Sequence, residues 1–254
     1  MMGLRSFGVR GLAIVGLALS FNVGCSSSDE APGQTSAPSV ALDPAQEHYG
    51  FSNDTWGTRW WKWIYEAPQT DAENCIIPFM DQTGEHCAYG QPGGDVFFLA
   101  GTLGGAAVRD KCTVPSGAAI YFPILGFTGD NAGVPPEKQL SPEDLKAYLQ
   151  SQADAVPVSE LSVEFDGQSV PDLGRFRTEV TEFDYFLPPE PNIYTCQGAT
   201  GVTGEVKQAF ATGFYVMLAP PAVGHHVLHF KGSAPESSPP NGLEVNVTYN
   251  LTIE

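Results

Sequence analysis

The chain has 254 residues and carries 29 acidic against 12 basic side chains, a formal net charge of −17. A field of that sign repels phosphate backbones and excludes nucleic acid as a partner. Charged residues make up only 16% of the chain, while Gly (28) and Pro (21) are plentiful, the composition of many short strands joined by tight turns.

Arg5 and Arg10 precede the apolar run from Gly11 to Leu19. The run is too short to span a bilayer and has the length of a signal-peptide core. It ends in Val23-Gly24-Cys25, followed by Ser26-Ser27-Ser28. On these residues the chain resembles bacterial lipoprotein precursors, although Asn22 stands where that pattern usually carries Leu. The resemblance implies that residues 1–24 are a lipoprotein signal peptide, cleaved before Cys25. It also implies that the sulfur and new amino group of Cys25 are acylated, with palmitate as a typical chain. Several acyl chains on one residue anchor stably where a single chain does not. Ser26 and Ser27, in place of an acidic residue, resemble the signals of lipoproteins sent on to the outer membrane. The implied place is therefore the cell envelope, lipid-anchored on the periplasmic side or at the cell surface. Cleavage would remove Arg5 and Arg10 and no acid, taking the charge from −17 to −19.

Residues 25–46 are rich in Ser, Pro and Ala and poor in bulky apolar side chains, so they read as a flexible tether. About 20 such residues span roughly 25 Å. The remainder, 47–254, reads as a single domain.

The segment from Asn53 to Tyr65 is expected to be a helix, capped by Ser52, Asn53 or Asp54 and ended before Pro68. Trp56, Trp60 and Trp63 share one face of it, and Trp61 and Tyr65 form a second ridge. Two uses compete. The aromatics either cap the open end of a sandwich, the commoner role at helical spacing, or form a stacking platform for sugar rings on Trp60 and Trp61.

Val96 to Ala100 and Ala118 to Leu125 are continuous apolar runs of strand length, expected to be buried on both faces. Gly101-Thr-Leu-Gly-Gly105 between them lacks the spacing and the Lys of a phosphate loop, so it reads as a turn or bulge. Asp81-Gln-Thr-Gly84 is a turn; Gln82 separates it from the Asp-Thr-Gly of aspartic proteases. The Trp56/Trp60/Trp61/Trp63 segment, Asp81-Gln-Thr-Gly-Glu-His-Cys87, Phe98-Leu-Ala-Gly-Thr102, Arg109-Asp-Lys-Cys-Thr-Val-Pro-Ser-Gly117 and Phe122-Pro-Ile124 together resemble a family of uncharacterised exported bacterial and archaeal proteins. The likeness covers residues 50–125 and, more loosely, a later Pro-x-x-Gly-x-His-x-x-x-Phe strand. It implies kinship and export, and no mechanism.

A second helix is expected over 139–153, with Ser141 as N-cap, Pro142 at the first helical position, a Leu140–Leu145 staple, and Leu145, Tyr148 and Leu149 facing inward. From Leu161 on the pattern is β. Asp166-Gly167 marks a hairpin turn, and a parity shift between Val180 and Phe183 suggests a bulge. Phe214 to Ala219 reads as a buried strand, and His226, Leu228 and Phe230 share one face of the next. Val245 to Ile253 alternates apolar and polar without error. The fold class is mainly β: an antiparallel β-sandwich, jelly-roll or immunoglobulin-like, with two short helices.

With Cys25 lipidated, Cys75, Cys87, Cys112 and Cys196 remain, an even number for an oxidising compartment, and three pairings are open. The preferred pair is Cys87–Cys112, bracketing the first apolar strand, with Cys75–Cys196 then tying the N-terminal block to later strands. No C-x-x-C spacing occurs, and no metal or other cofactor is expected. His225 and His229 share a strand face and could seat a metal, but such positions are more commonly exposed and polar. The sequence also carries no nucleophile elbow, zinc-protease, Walker or dinucleotide-binding motif. The expected function is therefore a non-catalytic binding or structural module of the envelope, with a glycan or an envelope protein as partner. The alternative is a secreted hydrolase or lyase acting on polysaccharide or ester, with Asp81, Glu85, His86 and Arg109 as its candidate groups.

Overall fold

The computed structural model describes residues 40–69, 75–234 and 242–254. The expected signal peptide, Cys25 and most of the expected tether lie outside these residues. The last part of that tether belongs to the domain instead. Ala41 bridges Leu218, and the Leu42 N–H donates to the Met217 carbonyl at 2.8 Å. The apolar side chains of Val40, Ala41 and Leu42 have packing partners in the domain, which draws the boundary back from 47 to 40.

Among the described residues nine strands form two sheets, the sandwich that the alternating patterns require. The four-stranded sheet has the order β1 (Val96–Phe98), β3 (Ala119–Gly129), β7 (Gly204–Leu218), β6 (Thr181–Leu187). The five-stranded sheet has the order β2 (Gly105–Val114), β9 (Leu243–Ile253), β8 (Gly224–Ala234), β4 (Ser162–Phe165), β5 (Gln168–Ser169). Pairing is antiparallel except at one edge of each sheet, where β1 runs parallel to β3 and β2 parallel to β9. At the first of these edges β1 and β3 are separated by β2, which crosses to the other sheet, so no hairpin joins them and a parallel pairing is open.

Two buried clusters account for the long apolar runs. The inner faces of the two sheets enclose one, with Ile120, Phe122, Phe214, Val216, Leu228, Phe230, Val247 and Tyr249 among its members. The outer face of the four-stranded sheet is covered by α1 (Asn53–Glu66), whose tryptophans pack on Phe98, Tyr121 and Tyr215 and whose Tyr65 packs on Tyr185. Strands β3 and β7 therefore bury both faces. The helix lies on a sheet face rather than capping the open end of the sandwich.

Helix α1 is capped by the Ser52 side chain, which accepts from the Thr55 N–H. Helix α2 (Pro142–Asp154) is capped by Ser141 as expected, with Leu145, Leu149 and Ala153 packed against β7 and β3. Two details of α2 differ from expectation. Leu140 and Tyr148 are exposed, so there is no staple, and the inward stripe follows the i, i+4, i+8 row. A third, one-turn helix α3 (Ile193–Cys196) is set by Asn192, which accepts from the Tyr194 and Thr195 N–H groups. The β6 irregularity lies between Phe183 and Tyr185, with the extra residue on the β7 side near Gln208, whose N–H donates to Asp184. Among the described residues no helix is long and apolar enough to cross a membrane.

Both disulfides form as preferred, Cys87–Cys112 and Cys75–Cys196, with sequence separations of 25 and 121.

Candidate functional site

The polar turn from Asp81 to His86 is built by one carboxylate. Asp81 Oδ1 accepts from the Thr83 and Gly84 N–H groups at 2.9 and 2.8 Å, and Oδ2 from the His86 N–H at 2.9 Å. Partial burial works to raise the Asp81 pKa. The hydrogen bonds from His86, Thr83 and Gly84 outweigh it and hold the carboxyl below its usual range. Gly84 sits at φ +81°, and a Cβ there would lie 2.9 Å from Arg109 Cβ and 3.3 Å from Cys112 Cβ. Only glycine lets the turn press onto β2 at this point. The Lys111 N–H donates to the Thr83 carbonyl at 3.0 Å, and the Cys87–Cys112 bond closes the same junction.

Arg109 is 1% exposed and spends all five of its N–H donors inside the protein. Nε donates to the Asp81 carbonyl at 2.7 Å, and Nη2 to the Pro78 and Gly101 carbonyls at 3.1 and 2.8 Å. Nη1 donates to the Ala100 carbonyl at 2.5 Å and to the Tyr249 hydroxyl. The β2 bulge between Arg109 and Cys112 turns both side chains inward, which a regular strand would forbid at a spacing of three. Arg109 thus ties the 78–81 segment, the 100–101 turn and β9 together. Glu85, His86 and Lys111 stand on the surface instead, Glu85 pairing with Lys111 at 3.0 Å and with His86 at 3.6 Å. The four candidate groups Asp81, Glu85, His86 and Arg109 therefore share no cleft. The Asp81 carboxylate is consumed by its own turn, and Arg109 presents no donor to solvent.

The aromatic platform is overturned as well. Trp56, Trp60, Trp61 and Trp63 are 6, 0, 7 and 5% exposed. Each indole N–H has a partner: the His48, Leu99 and Tyr89 carbonyls for Trp56, Trp60 and Trp63, and the Tyr215 hydroxyl for Trp61. Trp60 and Trp61 cannot receive a sugar ring, because a sheet face already occupies the positions a sugar would take.

His225 and His229 lie on the outer face of β8, bonded to Thr252 at 3.3 Å and Asn246 at 2.9 Å. Among the described residues no group of three or more His, Cys, Asp or Glu gathers around one point. A polar cluster that the sequence reading missed joins α1 to β6 and α3. Asp130 accepts from Tyr185 at 3.0 Å and Tyr194 at 3.2 Å, and Tyr65 stacks on Tyr185 with centroids 4.4 Å apart. Burial, reinforced by the Asp130 charge, pushes the Tyr185 phenol far above its usual range and that of Tyr194 up to about 12. Both therefore stay protonated donors. The residues are distant in sequence, so no local pattern could have found them.

Two clefts among the described residues have room for a ligand: one of about 300 Å³ lined by Asn131, Val202, Glu205 and Lys207, and one of about 350 Å³ beside the outer edge of α1, which combines cations with apolar lining and lies within the usual size range of small-molecule sites. Arg59, Lys62 and Trp63 form one wall, Phe98 contributes to the lining, and Pro68 and Pro92 close the rim. The opposite wall is the loop at Gly90, held in three ways. The Trp63 indole donates to the Tyr89 carbonyl, Tyr89 Oη donates to the Pro68 carbonyl, and the Gln91 amide pairs with both main-chain groups of Phe98 at 2.7 and 3.0 Å. A Cβ on Gly90 (φ +64°) would lie 2.9 Å from Ala67 Cβ, so the loop meets the helix end only as glycine. The pattern was available in the sequence: Arg59, Lys62 and Glu66 follow helical spacing on the stripe away from the Trp60 ridge. Comparison of the chain with protein families, curated proteins and solved structures returns no match.

Proposed function

We propose that this chain is a lipid-anchored protein of the bacterial cell envelope, held at the outer membrane through Cys25, with a β-sandwich domain that serves as a non-catalytic binding module. The observation that carries the reading is the cysteine arithmetic. Cys75, Cys87, Cys112 and Cys196 pair among themselves in two disulfides, which leaves Cys25 as the odd cysteine, placed at the end of a signal-like segment. Two intramolecular disulfides fit an oxidising compartment beyond the inner membrane. The kinship with exported bacterial and archaeal proteins proposed from the central motifs points the same way.

The non-catalytic part of the reading rests on how the polar groups are used. Asp81 and Arg109 are spent on their own scaffold, which removes the support for a hydrolase or lyase built on them. A glycan platform on Trp60 and Trp61 loses its support for the same reason. Binding is favoured over a purely structural role by the preformed cleft beside α1. Expressed in a bacterium fed labelled palmitate, the wild-type chain should carry label and fractionate with the outer membrane. Cys25→Ala should carry none; equal labelling of the two would refute the anchor.

A further inference from the structure

The cleft beside α1 combines an apolar interior with an unspent cation. Four arginines lie among the described residues. Arg109 is consumed by carbonyls, Arg175 pairs with Asp43, and Arg177 pairs with Asp154 at 2.7 Å. Arg59 makes neither a hydrogen bond nor an ion pair to any described residue. Its guanidinium is nevertheless fixed, lying 4.3 Å from the Phe51 ring centroid and 5.1 Å from that of Trp56. Stacking orients the plane while leaving the N–H edge unused, and that planar fork matches a carboxylate in bidentate fashion. One turn along the helix, Lys62 adds a second positive charge. Its partner Glu66 stands at 3.7 Å and is itself engaged by the Phe186 N–H at 3.0 Å. The described lining of the cleft thus carries two cations against one carboxylate, in a protein whose overall charge is −17.

We infer that this cleft binds a small organic anion: a carboxylate held by Arg59 with help from Lys62, on an apolar body lying against Pro68, Pro92 and the narrow exposed edge of Trp63. The shape of the site selects for size, because a preformed cavity of about 350 Å³ with pinned walls loses little freedom on binding and admits one ring system. Its charge selects for sign. An ammonium on the same ring would face the two cations Arg59 and Lys62, while Glu66, the one carboxylate of the lining, has its Oε1 shared between Lys62 and the Phe186 N–H.

The inference rests on the binding-module reading above and is independent of the lipid anchor. Its test is calorimetric titration of the full-length protein in a non-ionic detergent, with detergent alone as the blank. The ligands are naphthoate, its neutral alcohol and naphthylmethylammonium. Naphthoate should bind saturably at one site, the alcohol more weakly, and the ammonium without saturation. Arg59→Gln should weaken naphthoate by about tenfold or more, the loss of one charge-assisted bidentate contact. Lys62→Gln should weaken it less and flatten its salt dependence. Both side chains reach solvent, and an unchanged near-ultraviolet circular dichroism spectrum will show that each variant folds. No saturable heat with naphthoate, equal affinity for the ammonium, or an Arg59→Gln variant that binds like wild type would each overturn the site. Palmitate labelling of Cys25 would stand whatever these titrations give.

Discussion

Single side chains in this protein do the work of connecting segments that the strand pairing leaves apart. Arg109 is the strongest case: one guanidinium, without a carboxylate, satisfies four carbonyls and the Tyr249 hydroxyl. Lysine offers three donors on a compact head and cannot reach the same five acceptors. Arg109→Lys should therefore cost about 3 kcal/mol or more, because buried acceptors lose their partners. Urea unfolding would show it, and a loss under 1 kcal/mol would mean the network is dispensable. Asp81 gives a pH test with a defined sign. Its folded pKa lies below the unfolded value, so its contribution is complete above the usual carboxylate range and is lost as pH falls through the lowered value. Asp81→Ala should be less stable than wild type by about 1 to 2 kcal/mol at neutral pH, and the gap should close below about pH 4. A gap that persists unchanged at pH 3 would show that the charge of Asp81 is not involved.

At the scale of elements, the patterns that were legible in sequence were the ones written locally. Ser52 and Ser141 cap their helices, β9 alternates as read, and Cys87 brackets β1 with Cys112. What was not legible depended on which surface each element meets. The apolar run in β3 does not say whether its second face meets a helix or another sheet, and here it meets the tryptophans of α1. Val40 to Leu42 looked like tether because three residues show no period, yet β7 gives them a partner strand. Leu140 and Tyr148 had the right residue type for packing, but the groove over β7 and β3 admits only the Leu145, Leu149, Ala153 row. The candidate site failed for a related reason. Polar residues close in sequence suggested chemistry, whereas the main-chain groups around them had already claimed their donors and acceptors. The Cys75–Cys196 bond ties the segment after α1 to α3 across 121 residues. In the chain-entropy picture a loop of that length is worth about 5 kcal/mol, against about 3.5 for the 25-residue loop of Cys87–Cys112. Replacing Cys75 and Cys196 together by Ser should accordingly lower the unfolding free energy more than replacing Cys87 and Cys112. The opposite ranking in urea would show that the shorter bridge carries native contacts beyond its loop closure.

At the scale of the whole molecule, the sandwich accounts for four cysteines, four tryptophans and the buried Arg109 as scaffold. The proposed function rests on two other places: the cleft at Arg59 and Cys25. The strongly acidic composition is compatible with the proposed tethering, in which repulsion from anionic headgroups would hold the domain off the membrane and acyl chains would supply the attachment. The attachment is the central claim of the proposed placement, and the ligand cleft does not depend on it. Intact-mass spectrometry of the protein purified from a bacterial membrane measures it directly. The expected result is a mature chain that begins at Cys25 and carries the added mass of several acyl chains on that residue, with the other four cysteines oxidised in pairs. A mature chain with an unmodified Cys25, or one cleaved elsewhere, would contradict it.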